Sequence, residues 1–168
     1  MKKLWTILIV YAITVCSASV SADISDTFAT RIQVYRCLAD YIVMNNSALK
    51  IGNRDLTTDF LDTDKLSADD KRYLSFLLKQ GVVRGYEDNT LRLDNYITRL
   101  EVAVLLERAN GLFLERTVCL EYKHPYSDVP DWGREAVRYC YERGLMVGYA
   151  NAFGCNDNIT TQQMNTLL

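Results

Sequence analysis

Four acidic side chains lie close together in the first half of the sequence and could carry out chemistry. They are Asp62, Asp64, Asp69 and Asp70. Paired carboxylates can hydrolyse a glycosidic bond, one as general acid and the other as base or nucleophile. A calcium loop that starts at Asp62 is excluded, because Leu66 and Ser67 stand where it needs an oxygen ligand and a glycine.

Histidine chemistry has little support, since His124 is the single histidine of the sequence. Many metal sites and catalytic triads use histidine, and a thiol nucleophile needs a base close by. No cysteine adjoins His124 in sequence, although proximity in the fold stays open. His124 precedes Pro125, which favours a surface loop. We therefore expect no catalytic residue, no metal site and no cofactor.

Residues 1–22 have the order of a secretory signal peptide. Lys2 and Lys3 open the segment, an apolar run follows over residues 4–15, and Val20-Ser21-Ala22 fits a small-residue cleavage site. The apolar run is short for a membrane span, which needs about 20 residues. Two alternatives stay open, an uncleaved N-terminal anchor and a lipoprotein modified at Cys16. We expect an exported protein of the cell envelope, periplasmic or at the cell surface, without a membrane span in the mature chain.

Four cysteines follow the predicted signal peptide. They are Cys37, Cys119, Cys140 and Cys155. An even number in an exported protein is compatible with two disulfides, in any of three pairings, or with one. No pair has the CxxC spacing of a metal site. For Cys140 a buried thiol is the alternative, because it falls on the apolar face of a predicted helix.

The composition excludes several classes of protein. Hydrophobic residues make up 49% and charged residues 24% of the chain, which is typical of a folded globular protein. The formal net charge is −2 and the pI is about 5.4. The sequence therefore has no basic excess that would favour nucleic acid as a partner.

Two stretches of the chain carry the same three motifs in the same order. An aromatic-x-Asp motif comes first, at Phe60-Leu61-Asp62 and Tyr126-Ser127-Asp128. A Gly-apolar-apolar-x-Gly-Tyr motif follows, at residues 81–86 and 144–149. An Ile-Thr pair then opens a predicted helix, at Ile97-Thr98 and Ile159-Thr160. The nearly constant offset indicates an internal repeat.

Each unit is predicted to form a helix, a loop and a second helix. The predicted N-caps are Ser67, Thr98, Asp131 and Thr160. Glu101 and Gln163 complete capping boxes at the second helices, and Gly81 and Gly144 end the first helices. The fold class is therefore mainly α, with tandem helix-loop-helix repeats and at most short β segments.

The N-terminal part of the mature chain favours one more second helix, with Ile24-Ser25-Asp26 as its start signal and an apolar face from Phe28 to Ile42. Short strands are predicted at residues 91–93 and within the second connector. The chain then divides as follows: a signal peptide at 1–22, an N-terminal helix and connector at 23–59 that looks like half a repeat, a first unit at 60–111, a connector at 112–125, and a truncated second unit at 126–168.

In this order, the motifs resemble those of the S-layer homology domain, a repeat of bacterial envelope proteins. The resemblance includes both Gly-Tyr turns, Tyr126-Ser127-Asp128-Val129-Pro130, and Ile97-Thr98-Arg99-Leu100-Glu101. It implies mostly helical repeats, grouped in threes about a pseudo-threefold axis. It also implies non-catalytic anchoring in the cell envelope, with a cell-wall polysaccharide or peptidoglycan-linked glycopolymer bound in grooves between repeats.

The resemblance implies a role for one arginine. In the family, the arginine of the Thr-Arg-x-Glu motif helps to bind an anionic sugar, and that role maps onto Arg99. A guanidinium at a helix N-terminus can hold a carboxylate in bidentate fashion. A solvated Arg99 that pairs with Glu101 or Asp94 is the alternative. Tyr86 and Glu101 are further candidate glycan contacts, and Thr161 in the second unit predicts a lost or changed ligand there.

Two rival functions stay open. The tyrosines of the turns, Tyr86 and Tyr149, would suit a protein surface as well as a sugar. The alternative is therefore an exported interaction or assembly module that binds another envelope protein or itself. An enzyme is disfavoured, because the acidic cluster falls on a repeat motif and a helix cap. Trp132 and Tyr149 are expected to be packing residues rather than ligand contacts.

Overall fold

The computed structural model describes residues 27–112 and 125–168, so the predicted signal peptide, Cys119 and His124 lie outside the described residues. The described part contains five α-helices: α1 (Arg31–Asn45), α2 (Ala68–Lys79), α3 (Arg99–Asn110), α4 (Arg134–Glu142) and α5 (Thr161–Leu167). A 3₁₀ turn (Asp131–Gly133) precedes α4, and β structure within these ranges is limited to isolated bridges. The predicted mainly α class is confirmed. None of the described helices is both long and apolar enough to cross a bilayer.

The helices begin where side-chain caps satisfy their first amides. Ser67 caps α2 by accepting from Asp70 N, and Thr98 and Thr160 form the predicted capping boxes at α3 and α5. The predicted cap at Asp131 is wrong. Its carboxylate pairs with Arg134 at 2.7 Å, and the 3₁₀ turn places Gly133 at the N-cap of α4.

The start predicted for α1 at Ile24-Ser25-Asp26 is also wrong, because the helix begins at Arg31. Thr30 is its N-cap and closes a capping box with Gln33, whose Oε1 accepts from Thr30 N at 2.8 Å. Phe28 therefore precedes the helix and is exposed, whereas the buried face inside α1 includes Tyr35, Ala39 and Ile42, as predicted.

Glycines end the first helix of each unit as the sequence predicts. Gly81 and Gly144 have φ of +71° and +65°, the left-handed conformation that closes a helix without a steric penalty from Cβ. The strand predicted at residues 91–93 is wrong. Arg92 has φ +52°, and the carboxylate of Asp62 accepts from the N–H groups of Leu91 and Arg92 in place of a neighbouring strand.

The order of the repeated motifs reflects contacts between them. In the second unit, the carboxylate of Asp128 accepts from three successive backbone N–H groups, at residues 153–155. This matches the role of Asp62 in the first unit. The aromatic residue two positions earlier, Phe60 or Tyr126, lies against the glycine of the Gly-Tyr pair, Gly85 or Gly148, where a Cβ would overlap its ring. The aromatic-x-Asp motif thus fastens the turn.

Three chain segments meet in a closed ring of backbone hydrogen bonds, which we call the backbone ring. Ala29 N donates to Ile159 O at 2.9 Å, Ile159 N to Ile97 O at 3.0 Å, and Ile97 N to Ala29 O at 3.2 Å. Each segment leads into the N-cap of α1, α3 or α5, so these three helix starts are related by an approximate threefold axis. The N-terminal segment therefore takes the third place beside the two units.

Consecutive units are joined by packing between helices. Helix α1 packs against α2, and α3 packs against α4. Leu77 of α2 and Cys140 of α4 occupy matching positions and are both fully buried. The core continues through all three helix starts, with Ala29, Ile97 and Ile159 buried at the backbone ring. This packing fixes the surfaces between units, where the candidate site lies.

Candidate functional site

A groove of about 220 Å³ runs between α1 and the first unit, and we call it the first groove. It lies between the N-terminal half of α1, the turn at residues 84–86, and the outer face of α3. Its polar and aromatic lining residues are Arg31, Tyr35, Arg84, Tyr86, Glu101, Arg108 and Trp132. Because Trp132 belongs to the second unit, all three parts of the chain contribute to this one groove.

An ion pair closes the inner end of the first groove. Arg31 Nη1 donates to Glu101 Oε1 at 2.7 Å, and both side chains are largely buried. Tyr86 Oη donates to the same oxygen at 3.2 Å, and the guanidinium carbon of Arg31 lies 5.2 Å from the centre of the Tyr86 ring. The structure thus brings the predicted residues Tyr86 and Glu101 together, around an arginine that the sequence analysis missed.

The two carboxylate oxygens of Glu101 have separate partners. Oε2 accepts from Thr98 N at 2.9 Å in the capping box, while Oε1 accepts from Arg31 and Tyr86. Burial acts to raise the pKa of Glu101, but the Thr98 amide and Arg31 together outweigh burial and lower the pKa. Glu101 is therefore held as a carboxylate that joins α3 to α1.

Two further arginines give the first groove an excess of positive charge. Arg84 is exposed, and Arg108 Nη1 donates to Val82 O at 3.2 Å, which brings its guanidinium to the turn that carries Arg84. Neither residue belongs to an ion pair within the described part of the chain. Burial and the charge of Arg84 lower the pKa of Arg108, against an opposing effect of Glu107. The groove is therefore lined by three arginines and one glutamate, so positive charges outnumber negative ones.

The prediction that Trp132 and Tyr149 are packing residues is wrong, because they are 67% and 54% exposed. The cause at Trp132 is its neighbour Gly133. A Cβ on Gly133 would lie 2.7 Å from Leu100 Cδ1, so the glycine makes the close contact with α3 and the indole stays at the surface. Trp132 thereby adds an exposed aromatic face to the first groove.

Arg99 occupies the matching position between the first and second units, in what we call the second groove, between α3 and residues 147–153. Its Nη2 donates to Val147 O at 2.7 Å and its Nε donates to Phe153 O at 3.1 Å. The guanidinium carbon lies 5.0 Å from the ring centre of Tyr149, and the residue is only 7% exposed. The alternative of a solvated Arg99 paired with Glu101 or Asp94 is therefore wrong.

The second groove lacks the charges of the first. Val147 stands three residues after Gly144, just as Arg84 stands three residues after Gly81, and Gln163 takes the place of Glu101 in its capping box. At the third helix start Thr161 replaces the arginine, and its Oγ1 donates to Thr27 O at 3.0 Å. The three matching positions thus hold three different arrangements.

A sequence signal for Arg31 does exist. Thr30-Arg31-Ile32-Gln33 repeats the Thr-Arg-x-Glu pattern with glutamine as the capping partner. The preceding Ala29 replaces the isoleucine found in both units, and the segment lacks a Gly-Tyr turn upstream. These two departures hide the third copy of the motif.

The acidic cluster is occupied by structural contacts. Asp62 holds the loop at residues 91–92, and Asp70 pairs with Arg36 and accepts from Ser67 Oγ. Asp69 forms an exposed pair with Arg72 at 3.3 Å. Residues 27–112 and 125–168 contain no group of three or more histidine, cysteine, aspartate or glutamate side chains placed to hold a metal ion.

The cysteines of the described part include two buried thiols. Cys140 Sγ lies 3.9 Å from Ala103 O, and burial raises the pKa of this thiol to about 12. Burial also raises the pKa of Cys155, to about 11. No disulfide joins Cys37, Cys140 and Cys155 to one another. A bridge to Cys119 stays a prediction, because Cys119 lies outside the described residues.

Comparison with known proteins agrees with this architecture. The model of the S-layer homology domain family matches residues 59–103 and 125–164, which together make up half of the chain. An endoglucanase of Bacillus sp. (strain KSM-635) is 32% identical over 93 residues, and cell surface glycoprotein 1 of Acetivibrio thermocellus is 32% identical over 89 residues. These matches cover 55% and 51% of this chain but only 9% and 4% of the two relatives. The chain belongs to the S-layer homology domain family, whose domains bind cell-wall polymers and anchor proteins to the cell envelope.

Proposed function

We propose that this chain is a non-catalytic anchoring module that binds an anionic cell-wall glycopolymer in the first groove. The observation that carries the proposal is the lining of that groove, where Arg31, Arg84 and Arg108 face a single carboxylate and an exposed Trp132 stands beside them. The second groove has a buried arginine and no matching set of charges, so the first groove is the better site.

The first groove combines the two kinds of contact that an acidic sugar needs. An exposed indole offers a flat apolar face for the C–H groups of a pyranose ring, and its N–H can donate a hydrogen bond. Guanidinium groups donate paired hydrogen bonds to carboxylate or phosphate oxygens. Trp132 thus supplies a stacking surface for the sugar ring, and the arginines supply an anion-binding site. Both lie within one cavity of about 220 Å³.

The predicted contacts take different parts in this proposal. Tyr86 and Glu101 keep their roles as groove residues, with Glu101 holding Arg31 in place. Arg99 has a supporting part, because its bonds to Val147 O and Phe153 O hold the turn that carries the exposed Tyr149. That ring is a second aromatic surface to which an extended glycan could bind.

The proposed absence of catalysis rests on how the carboxylates are used. Asp62 and Asp128 accept from backbone N–H groups, and Glu101 is committed to an ion pair and a helix cap. A glycosidase needs one protonated and one free carboxylate on either side of a bond. The endoglucanase relative shares less than a tenth of its length with this chain, so its name says nothing about catalysis here.

The export of the chain to the envelope is part of the same proposal. Residues 1–22 predict a signal peptide, and one matched relative is a cell surface glycoprotein. Glycan binding then requires that the mature chain reach the wall. The alternative partner, another envelope protein or a second copy, would be favoured by the exposed Phe28–Tyr96 ring pair, whose centres lie 5.5 Å apart.

Sedimentation with isolated cell walls tests the proposal. The purified protein is mixed with sacculi from a Bacillus strain and from a Gram-negative bacterium, before and after hydrofluoric acid removes phosphodiester-linked polymers. We expect retention on at least one untreated preparation and loss of retention after extraction. Trp132→Ala should weaken retention, whereas Arg72→Gln, an exposed change on α2, should not.

Three results would contradict the proposal. The first is no retention on either untreated preparation, which would favour a protein partner. The second is equal retention before and after extraction, which would assign binding to peptidoglycan itself. The third is the release of soluble reducing sugar during incubation, which would reveal catalysis.

A further inference from the structure

We infer that the anionic group of the ligand is bound between Arg84 and Arg108, and not by Arg31, the arginine of the repeated Thr-Arg motif. This inference rests on the proposed function, because it assigns one anion-binding site within the first groove. The ligand group is an oxyanion attached to a sugar, either a carboxylate or a phosphodiester.

Arg31 already has a counter-ion in Glu101. Its guanidinium donates to Glu101 Oε1 at 2.7 Å, and the two side chains are only 11% and 27% exposed. The bond to Glu101 uses Nη1, and the buried Nε of Arg31 has no hydrogen-bond partner among the described residues. An anion at the remaining N–H groups would have to lie close to the Glu101 carboxylate in a partly buried place, where like charges repel strongly. Arg31 therefore contributes little net charge to a ligand.

Arg84 and Arg108, by contrast, have no carboxylate partner in the part of the chain that the structure describes. Both line the same groove, and neither forms an ion pair within residues 27–112 and 125–168. The bond from Arg108 to Val82 O places its guanidinium at the turn that ends in Arg84. Two like charges held on one wall repel each other, and an oxyanion between them relieves that repulsion.

The second groove lacks this pair of arginines. There Val147 replaces Arg84, and the motif arginine, Arg99, donates to backbone carbonyls. A motif arginine is thus used for structure in both grooves, whereas the arginine at the Gly-Tyr turn is present in one groove alone. The described part of the chain consequently offers one anion-binding site that is formed by two arginines without ion-pair partners.

The test compares paired substitutions on sacculi that retain the wild type. The double variant Arg84→Gln with Arg108→Gln removes both charges of the proposed anion-binding site. The double variant Arg31→Gln with Glu101→Gln removes the inner ion pair without changing the net charge of the groove. We expect the first variant to lose at least about tenfold more affinity than the second, and to lose most of the salt dependence of binding. Arg72→Gln serves as the control that keeps full affinity.

Soluble polymers then identify the oxyanion. Polygalacturonate carries carboxylates, poly(glycerol phosphate) carries phosphodiesters, and dextran carries no charge. We expect one of the two acidic polymers to displace the wild type from sacculi at a concentration where dextran does not. Arg84→Gln alone, an exposed change that spares the Arg108 bond, should raise the amount of that polymer needed.

The outcomes separate this inference from the proposed function. Retention of the wild type together with full affinity of the Arg84/Arg108 variant would overturn the inference alone. So would a larger loss in the Arg31/Glu101 variant, or displacement by dextran as effective as by either acidic polymer. A wild type that no wall preparation retains would overturn the proposed function, and the inference with it. Circular dichroism of each variant shows whether a loss of binding is a loss of fold.

Discussion

Replacing Glu101 with glutamine separates the two tasks that this side chain has in the structure. Its Oε2 accepts from Thr98 N in a capping box, and its Oε1 accepts from Arg31. Glutamine already completes the same box at the other two helix starts, where Gln33 and Gln163 accept from the N-cap amides at 2.8 and 3.1 Å. Glu101→Gln should therefore keep the cap and remove the ion pair with Arg31, together with the bond that Oε1 accepts from Tyr86.

The magnitude follows from the burial of the pair. Arg31 and Glu101 are mostly buried but still reach solvent. Removing one partner should therefore lower the free energy of unfolding by less than it would for a fully buried pair. A hydrogen bond to a charged group contributes about 1.5–3 kcal/mol, and we expect Glu101→Gln to lower the free energy of unfolding by that amount at neutral pH. Glu101→Ala loses the cap acceptor as well, which costs about 1 kcal/mol more.

Urea unfolding at pH 7 and pH 3, followed by circular dichroism, measures both variants. The pKa of Glu101 is lowered in the folded protein, so its stabilising effect is present above the ordinary pKa of glutamate and is lost as the pH falls through the folded value. The gap between wild type and Glu101→Gln should therefore shrink at pH 3. A gap of equal size at both pH values, or no gap at pH 7, would refute the reasoning.

Three further predictions concern the turn and the core of the second unit. Gly148→Ala should lower the free energy of unfolding by about 1–3 kcal/mol in a urea titration, because the new Cβ would collide with the backbone at Ala152. Asp128→Ala should cost about 1–3 kcal/mol in the same assay, since three backbone N–H groups lose their acceptor. The Cys140 thiol, with its pKa raised to about 12, should resist iodoacetamide at pH 8 in the folded protein and react once urea is added, as mass spectrometry would show.

Local signals explain why much of the fold could be predicted. Capping boxes at Thr98 and Thr160 and the glycines at 81 and 144 act within a few residues of the chain, so their chemistry is visible in sequence. Asp131 looks like such a cap and fails, because an exposed arginine three residues later takes its carboxylate. Likewise, residues 91–93 alternate like a strand, yet the distant carboxylate of Asp62 bonds their amides.

The site depended on contacts that no local pattern encodes. Arg31 and Glu101 are 70 residues apart in sequence, and Trp132 joins them from a third part of the chain. The repeat predicted which residue types would stand at matching positions, and it identified Tyr86 and Glu101 as candidate site residues. It could not say which neighbour each position meets, because the backbone ring sets one unit against the next and each junction has its own partners.

The two motif arginines have different partners at their two junctions. Arg31 ties α1 to α3 through a carboxylate, and Arg99 ties α3 to the following turn through two carbonyl oxygens. In both places the guanidinium spans the junction between consecutive units, where its planar fork can meet several acceptors at once. Such a junction needs the arginine for cohesion whether or not a ligand is bound. In the anion site that we propose, the charge that meets the ligand comes from a side chain without that duty, and in the first groove Arg84 is such a side chain.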